Sequence, residues 1–280
     1  MTHQVTIRKS KHQFKIEDDE TILQAALAAG LVIPYGCRDG ACGSCKGKLI
    51  EGEIDYGEYS EKALSAAERE AGHALFCQAK ARSDVVIEAR DVRAAGDIQV
   101  RIFPSRVGKL ERVTDDVIIL SLKMPATQPF RFIAGQYLDF ITKDGARRSF
   151  SMGNAPHDDE FVQLHIRHVP GGAFTDHVFE KMKERDILRL EAPLGTFNLR
   201  EESTKPIVFV ASGTGFAPIK SILETVFRAG STRPMSLYWG GRRPRDLYMN
   251  DLPVKWAAEH ANFNYVPVIS DGLPEDNWTG

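Results

Sequence analysis

Four cysteines, Cys37, Cys42, Cys45 and Cys77, are all that the 280-residue sequence holds, and the first three follow the spacing C-x4-C-x2-C. Thiolates spaced this way, with a fourth further along, suit a 2Fe-2S cluster, in which each iron takes two bridging sulfides and two cysteine sulfurs. Gly36, Gly40 and Gly43 stand beside and between the cysteines. A chain wrapping closely round a cluster must turn amide N–H groups toward sulfur there, and such donors tune the reduction potential. Two blander uses of the thiols stay open. One is a four-cysteine zinc site, although zinc favours two short C-x2–4-C pairs; the other is plain unligated cysteine. No histidine stands two residues after a cysteine, which speaks against a histidine-ligated Rieske centre.

A second set of residues is suited to phosphate. Arg148-Ser149-Phe150-Ser151 opens an apolar β stretch, and further on Gly171-Gly172-Ala173-Phe174-Thr175 leads into a helix. A glycine pair opening a helix lets backbone N–H groups approach a pyrophosphate, and an upstream arginine can neutralise its charge. Gly213-Thr214-Gly215-Phe216-Ala217-Pro218 directly follows the apolar run 207–210 and opens another helix, the setting a dinucleotide-binding turn requires. It departs from G-x-G-x-x-G by carrying Pro218, which the first turn of a helix tolerates. Taken singly, each motif reads equally well as an ordinary strand-to-helix turn, or as a surface charge in the case of Arg148.

The elements that must position these residues fall into three textures. Alternation of Val5, Ile7, Phe14 and Ile16 predicts a strand pair turning near Lys9–His12. A helix follows, with Thr21 and Gln24 as a capping box and Gly30 as its stop. A second helix over 66–71 starts at the Ser65/Glu68 capping box and ends at Gly72, and 84–89 predicts a closing strand. From Asp97 short β runs take over, at 98–103, 117–122, 137–141, 150–152, 162–166 and 187–190, with one helix over 172–181; this spacing suggests a small barrel or sandwich. After Pro206, apolar runs at 207–210, 235–239 and 265–269 alternate with helical stretches at 217–227 and 256–260, the pattern of a parallel α/β sheet buried on both faces. The best boundaries are 90–96 and 192–203.

The composition is that of a folded chain: 42% hydrophobic and 26% charged. A net charge of −2 offers no broad field for nucleic acid. No apolar run approaches the ~18 residues that suggest a membrane span. Arg8, Lys9, Lys11, Glu17 and Asp18 near the start leave no expectation of a signal peptide. Sparse cysteines make a reducing, cytoplasmic setting the expectation.

The stretch from Pro34 to Cys45, with Leu75-Phe76-Cys77-Gln78-Ala79, resembles the plant-type 2Fe-2S ferredoxin family over about residues 3–92. The resemblance implies a β-grasp fold for a domain at 1–92. The later motifs, in their order, with Pro193-Leu194-Gly195-Thr196-Phe197 and Tyr238-Trp239-Gly240-Gly241-Arg242, resemble the ferredoxin-NADP reductase superfamily. That likeness implies an antiparallel β-barrel FAD domain at 99–200 and an incomplete doubly wound parallel-sheet NAD domain at 204–280, for a multi-domain α+β and α/β chain. The whole is similar to three-domain NADH-dependent reductases that serve oxygenases, and within them to CDP-6-deoxy-3,4-glucoseen reductase-like proteins.

By that resemblance Cys37, Cys42, Cys45 and Cys77 hold the cluster and Arg148 meets the FAD pyrophosphate. Ser149 sits in the same flavin motif, Phe150 packs on the flavin, and Ser151, the one residue expected to act in catalysis, hydrogen-bonds near flavin N5. His165, Ile166 and Arg167 run beside the flavin, while Gly172, Ala173, Phe174 and Thr175 supply phosphate contacts. Gly213, Thr214, Gly215, Ala217 and Pro218 cradle the nicotinamide dinucleotide, and Gly240 and Arg242 edge its adenosine side. Two departures stand out: Phe150 replaces a common tyrosine, and the family's last strand, Cys-Gly-Pro motif and closing helix do not appear before Gly280, so the nicotinamide pocket is expected to be incomplete or the sequence a fragment.

NADH gives up two electrons together as hydride and a 2Fe-2S centre takes one, so a flavin between them is the expected converter. None of the eight histidines need act as an acid or base. No acid follows Trp239 to hold a ribose 2′-hydroxyl, and Arg242, Arg243 and Arg245 would suit a 2′-phosphate, so NADPH stays open beside NADH. The expected acceptor is a separate terminal protein, an oxygenase or a deoxysugar dehydratase. The acidic stretches 17–20 and 51–61 would either steer a basic redox partner or simply be solvated turns. Two other classes compete: a non-catalytic 2Fe-2S sensor or electron carrier, which would bind no flavin, and a zinc-bearing interaction protein.

Overall fold

Alternating burial along β1 (Thr2–Ile7) and β2 (Gln13–Glu17) puts Val5, Ile7, Phe14 and Ile16 on one face, and the two strands pair antiparallel. The computed structural model describes every residue but Ala95, Asp97, Asn277, Thr279 and Gly280. The boundary expected at 90–96 and the domain limit at Gly280 therefore touch residues outside the description. By contacts the chain forms two units, Met1–Gln99 with Gly195–Phe197, and Val100–Leu194 with Asn198–Gly280.

In the first unit come α1 (Ile22–Ala28), β3 (Leu31–Val32), β4 (Lys46–Glu51), β5 (Ile54–Asp55), α2 (Ala66–Glu70), β6 (His73–Leu75), β7 (Lys80–Ala81), β8 (Val85–Glu88) and β9 (Arg93–Ala94). The main sheet runs β2-β1-β8-β4-β6, mixed because β1 and β8 are parallel. Both helices begin at the expected capping boxes, Thr21 with Gln24 and Ser65 with Glu68, each satisfying two backbone donors reciprocally. Helix α1 buries Ile22, Leu23, Ala25 and Ala26, its apolar face, while α2 buries none of its residues.

The second unit opens with β10 (Arg101–Thr114), β11 (Val117–Lys123), β12 (Tyr137–Ile141), β13 (Arg147–Ser151), β14 (Val162–Arg167), α3 (Ala173–Glu180) and β15 (Ile187–Leu194). These strands form an antiparallel sheet ordered β13-β12-β15-β10-β11-β14. A closed barrel was expected. The edge strands β13 and β14 do not pair as a ladder; beyond β13 the isolated bridge of Met152 to Leu164 and the Gly153 N–H to the Gln163 carbonyl link the chain to β14, so among the described residues the sheet stays open. Its core includes Phe103, Leu120, Leu122, Leu138, Phe140, Leu164 and Ile166. Strand β10 is much longer than the 98–103 run suggested; its register shifts between Val107 and Lys109, a bulge that carries the chain past Gly108, against which the Phe161 ring packs.

The remaining elements are β16 (Ile207–Ser212), α4 (Phe216–Arg228), β17 (Met235–Gly241), α5 (Asp251–Glu259) and β18 (Phe263–Ile269). The three strands are parallel and lie in chain order. Phe209, Ala211, Leu237 and Trp239 share a core with Phe216, Ile219 and Leu223 of α4 and Trp256 of α5, so both helices pack on one face. Burial on both faces was expected, yet Val208, Val210, Tyr238 and Val268 are exposed on the other. Right-handed crossovers explain this, because strands added steadily in one direction bring every connecting helix to the same side.

Trp239, fully buried, stacks on Phe216 at 4.0 Å and donates from Nε1 to the Gly213 carbonyl at 3.0 Å. Trp239→Ala is expected to destabilise the second unit by roughly 3–5 kcal/mol. Denaturant titration checks it, and a loss under about 1 kcal/mol would contradict the packing described.

Candidate functional site

Strand pairing assembles the cysteines. Lys46 of β4 lies opposite Leu75 of β6, and this register carries the flanking Cys45 and Cys77 to an Sγ–Sγ distance of 3.1 Å. Cys37 and Cys42 form a second pair through reciprocal backbone contacts: Cys42 N–H donates to the Cys37 sulfur at 3.3 Å, and Cys37 N–H to the Cys42 sulfur at 3.4 Å. Ser44 N–H also reaches Cys42 Sγ, at 3.5 Å. A Cβ on Gly36 would stand 3.1 Å from that sulfur, and one on Gly40 would stand 2.8 Å from the Glu58 carbonyl at a φ of +79°. Only glycine fits Gly40 without strain.

The Cys45 thiol lowers the Cys77 pKa to about 7 by hydrogen bonding to it, and the same bond pushes Cys45 upward. Burial raises Cys37; it also opposes ionisation of Cys42, but hydrogen bonds from Ser44 and Cys37 bring Cys42 down on balance. Each pair thus contains one sulfur whose pKa is lowered and one whose pKa is raised. Among the described residues no three His, Cys, Asp or Glu side chains converge as ligands of one ion. Two pairs rather than one tetrad is what a two-iron cluster takes, so the donor set fits 2Fe-2S better than zinc.

In the second unit a cleft of ≈ 550 Å³ is lined by Arg148, Ser149, Phe150 and Ser151 from β13, His165 and Arg167 from β14, Gly172–Thr175 at the start of α3, and Thr214, Gly215 and Ala217 at the start of α4. That volume lies in the range of small-molecule sites. No side chain caps α3, nor the short 3-10 turn 213–215 that runs directly into α4, so the first amides of α3 and of that turn are left uncapped, while Phe216 N–H at the start of α4 is already bonded to the Gly213 carbonyl. Thr175 Oγ1 instead serves the preceding loop, accepting from Val169 N–H at 3.1 Å and donating to the Val169 carbonyl at 2.9 Å. A Cβ on Gly172 would fall 2.8 Å from both that carbonyl oxygen and Thr175 Oγ1.

Phe150 leans on Phe140 and Phe174, with centroids 5.9 and 5.4 Å away. Ser149 donates to buried Asp139 at 2.6 Å. Arg167 approaches Asp116 at 3.2 Å and Asp246 at 3.9 Å, while its buried Nε and Nη2 have no hydrogen-bond partner. Its Nη1 would meet a Cβ on Gly213 at 3.2 Å, which ties this arginine to the turn before α4. His165 is buried, bonded through Nδ1 to Tyr248 Oη at 2.7 Å, with Nε2 unpartnered. An open cleft, a glycine cradle and an arginine whose guanidinium is ion-paired without being fully hydrogen-bonded together fit a bound dinucleotide.

Most of the expected flavin and nicotinamide residues meet in this cleft, and several do not line it. Ile166 faces the core instead. Gly213, Pro218, Gly240 and Arg242 are absent from the lining. Gly240 lies in β17 opposite Ser212 and Val268, and exposed Arg242 gives its backbone N–H to Asp246 at 2.8 Å. Val169 lines the cleft without having been singled out, since an exposed valine in a loop carries no periodic signal.

Fold and site together define an NAD(P)H-dependent flavin iron–sulfur oxidoreductase. Family models match in the same order along the chain: a 2Fe-2S iron-sulfur cluster binding domain over residues 5–82, an oxidoreductase FAD-binding domain over 104–199 and an oxidoreductase NAD-binding domain over 209–280. The chain belongs to the family of three-domain reductases that carry these modules. It is 39% identical over its whole length to a CDP-6-deoxy-L-threo-D-glycero-4-hexulose-3-dehydrase reductase of Yersinia pseudotuberculosis, covering 83% of that protein. It is 36% identical to a terephthalate 1,2-dioxygenase reductase component of Comamonas, again with all of this chain and 83% of the relative covered. The crystal structure of Amycolatopsis cytochrome P450 reductase GcoB superposes with a TM-score of 0.80 at 33% identity, covering 98% of this chain and 83% of that one. Among the described residues no helix is long and apolar enough to cross a membrane.

Burial holds the His165 pKa near 3, against 6.5 for a free imidazole, with nearby Lys220 pushing the same way. As pH falls below 6.5 the unfolded chain gains a proton at this position that the folded chain refuses until about pH 3. Stability present above pH 6.5 is therefore lost across that window, at about 1.4 kcal/mol per pH unit. His165→Asn removes this dependence, so its denaturation midpoint should fall less than that of the wild type between neutral pH and pH 4.5. Equal falls would show that the imidazole is not held neutral.

Proposed function

We propose that this chain takes electrons from NADH and delivers them, through bound FAD and a 2Fe-2S cluster, to a separate terminal protein, an oxygenase or a deoxysugar dehydratase. Bound FAD would supply the conversion of a two-electron hydride into the single electrons that a 2Fe-2S cluster takes. The observation that carries the reading is the cleft that the uncapped start of α3 and the glycine turn leading into α4 line together with the β13 strand Arg148–Ser151.

Within this reading Arg148 and the amides of Ala173–Thr175, which Gly172 lets a pyrophosphate approach while its own N–H serves the Val169 carbonyl, neutralise the flavin pyrophosphate. Phe150 supplies an apolar face to the ring system, and Ser151 donates toward its N5 edge. Arg167, held beside Gly213, and the amides of Thr214, Gly215 and Ala217 receive the nicotinamide dinucleotide, with Gly240 and Arg242 toward its adenosine side. Cys37 with Cys42, and Cys45 with Cys77, take one iron each.

NADH is favoured over NADPH because Arg243 is engaged by Asp276, at 2.8 Å from Nε and 3.0 Å from Nη2, leaving only Arg242 and Arg245 for a 2′-phosphate. The proposal includes domain limits of 1–92, 99–200 and 204–280, a β-grasp arrangement for the first, and a cytoplasmic setting that keeps four thiols reduced.

An anaerobic visible spectrum, with iron and flavin quantified on the same sample, tests the reading. Flavin and iron–sulfur bands that bleach promptly with NADH are expected; bands that do not respond would remove the nicotinamide step. Arg148→Ala should weaken FAD binding about tenfold or more, the worth of one charge-assisted hydrogen bond. Undiminished flavin retention after gel filtration would count against the pyrophosphate role.

A further inference from the structure

Two neighbouring polar side chains of α4 join the two halves of the cleft from behind. Lys220, on α4 and only 6% exposed, donates from Nζ to the Gly153 carbonyl at 3.0 Å and meets Glu224 at 2.8 Å. Next to it Ser221, fully buried, donates to the Asn154 carbonyl at 2.7 Å. Asn154 is itself fixed: its amide donates to the carbonyls of Asp158 and Phe161 at 2.6 and 2.9 Å and accepts from Gln163 N–H at 2.8 Å.

Gly153 meets the imidazole of His165 so closely that a Cβ there would lie 2.8 Å from Nε2. The other side of that ring is held by Tyr248, which also packs edge-on against Trp239, at 5.3 Å, from the sheet of the nicotinamide lobe. These contacts sit two or three residues past Ser151 on one side, and a turn of helix past Ala217 on the other.

Resting on the function proposed above, we propose that Lys220 is a positioning residue: with Ser221 and the His165–Tyr248 pair it fixes the nicotinamide-binding turn in register against the flavin-binding strand. Stability is a poor reason for its presence. An ammonium is expensive to bury, and a buried ion pair replaced as a whole by apolar side chains is often neutral or stabilising, so such a pair is weak evidence for stability. Directional bonds to two successive carbonyls do what an apolar contact does not, which is to forbid the helix from sliding or rotating over the strand. Hydride transfer depends steeply on such register, a 1 Å misplacement being worth about 10²-fold in rate.

The test uses the full chain loaded with FAD and compares wild type with Lys220→Met and Ser221→Ala. Lys220→Met should keep its flavin and stay folded at the assay temperature, though with a lowered melting temperature because the Gly153 carbonyl loses its donor, yet slow flavin reduction at saturating NADH by about 10²-fold, more than the stability loss accounts for, with the half-saturating NADH concentration little changed. Ser221→Ala should move the rate the same way by a smaller factor. Amide hydrogen exchange, read on the same proteins without NADH, should speed up at 213–217 and 152–154 in Lys220→Met.

A wild-type limiting rate in Lys220→Met overturns the assignment. So does a rate that falls only in step with lost flavin or lowered melting temperature. If NADH fails to reduce even the wild-type flavin, the proposed function falls, and exchange still decides the clasp: unchanged protection in Lys220→Met removes it.

Discussion

Helix α3 and the 3-10 turn 213–215 that runs into α4 both begin without side-chain caps and both line one cleft, and the surrounding architecture serves that meeting. An uncapped helix start is a standing requirement for an acceptor, and anions meet it best. For α3 the preceding loop is drawn tight by Thr175, whose hydroxyl bonds backward to Val169 rather than capping the helix. For α4 the turn is braced by Trp239 from below and Arg167 from the side. Helix α3 and the turn before α4 are thus anchored by groups that do not cap their first amides.

The cysteine site obeys a different constraint. A cluster needs sulfurs at set separations, and the chain reaches them by letting one antiparallel register, Lys46 opposite Leu75, carry Cys45 and Cys77, while a tight glycine-rich loop folds Cys37 onto Cys42. One pair is therefore held by a sheet and the other by a loop. Loop sulfurs owe their placement to backbone amides, which is why the local glycines matter more than any packed side chain.

Much of this was legible in the residues. The capping boxes at Thr21 and Ser65 marked helix starts because their signal is local, and the cysteine spacing marked ligands because few other uses share it. Strand β10 was cut short in the reading because Pro104 and Gly108 interrupt its alternation, whereas a bulge lets the strand continue through them. Barrel closure and two-sided burial are properties of how strands are ordered in space, which periodicity does not encode. Lys220 left a trace that went unread: it lies on the apolar stripe of α4 between Phe216 and Leu223, where a charge has no place unless it has buried partners.

The bond from Trp239 to Gly213 also gives the molecule an optical character. The sequence has three tryptophans, Trp239, Trp256 and Trp278, all in the second unit, so the iron–sulfur unit contributes no indole emission. Trp239 is clamped between Phe216 and the carbonyl of the dinucleotide-binding turn. Its fluorescence is therefore a built-in gauge of the nicotinamide lobe alone, and changes in the environment of that turn can be followed with light without attaching any label.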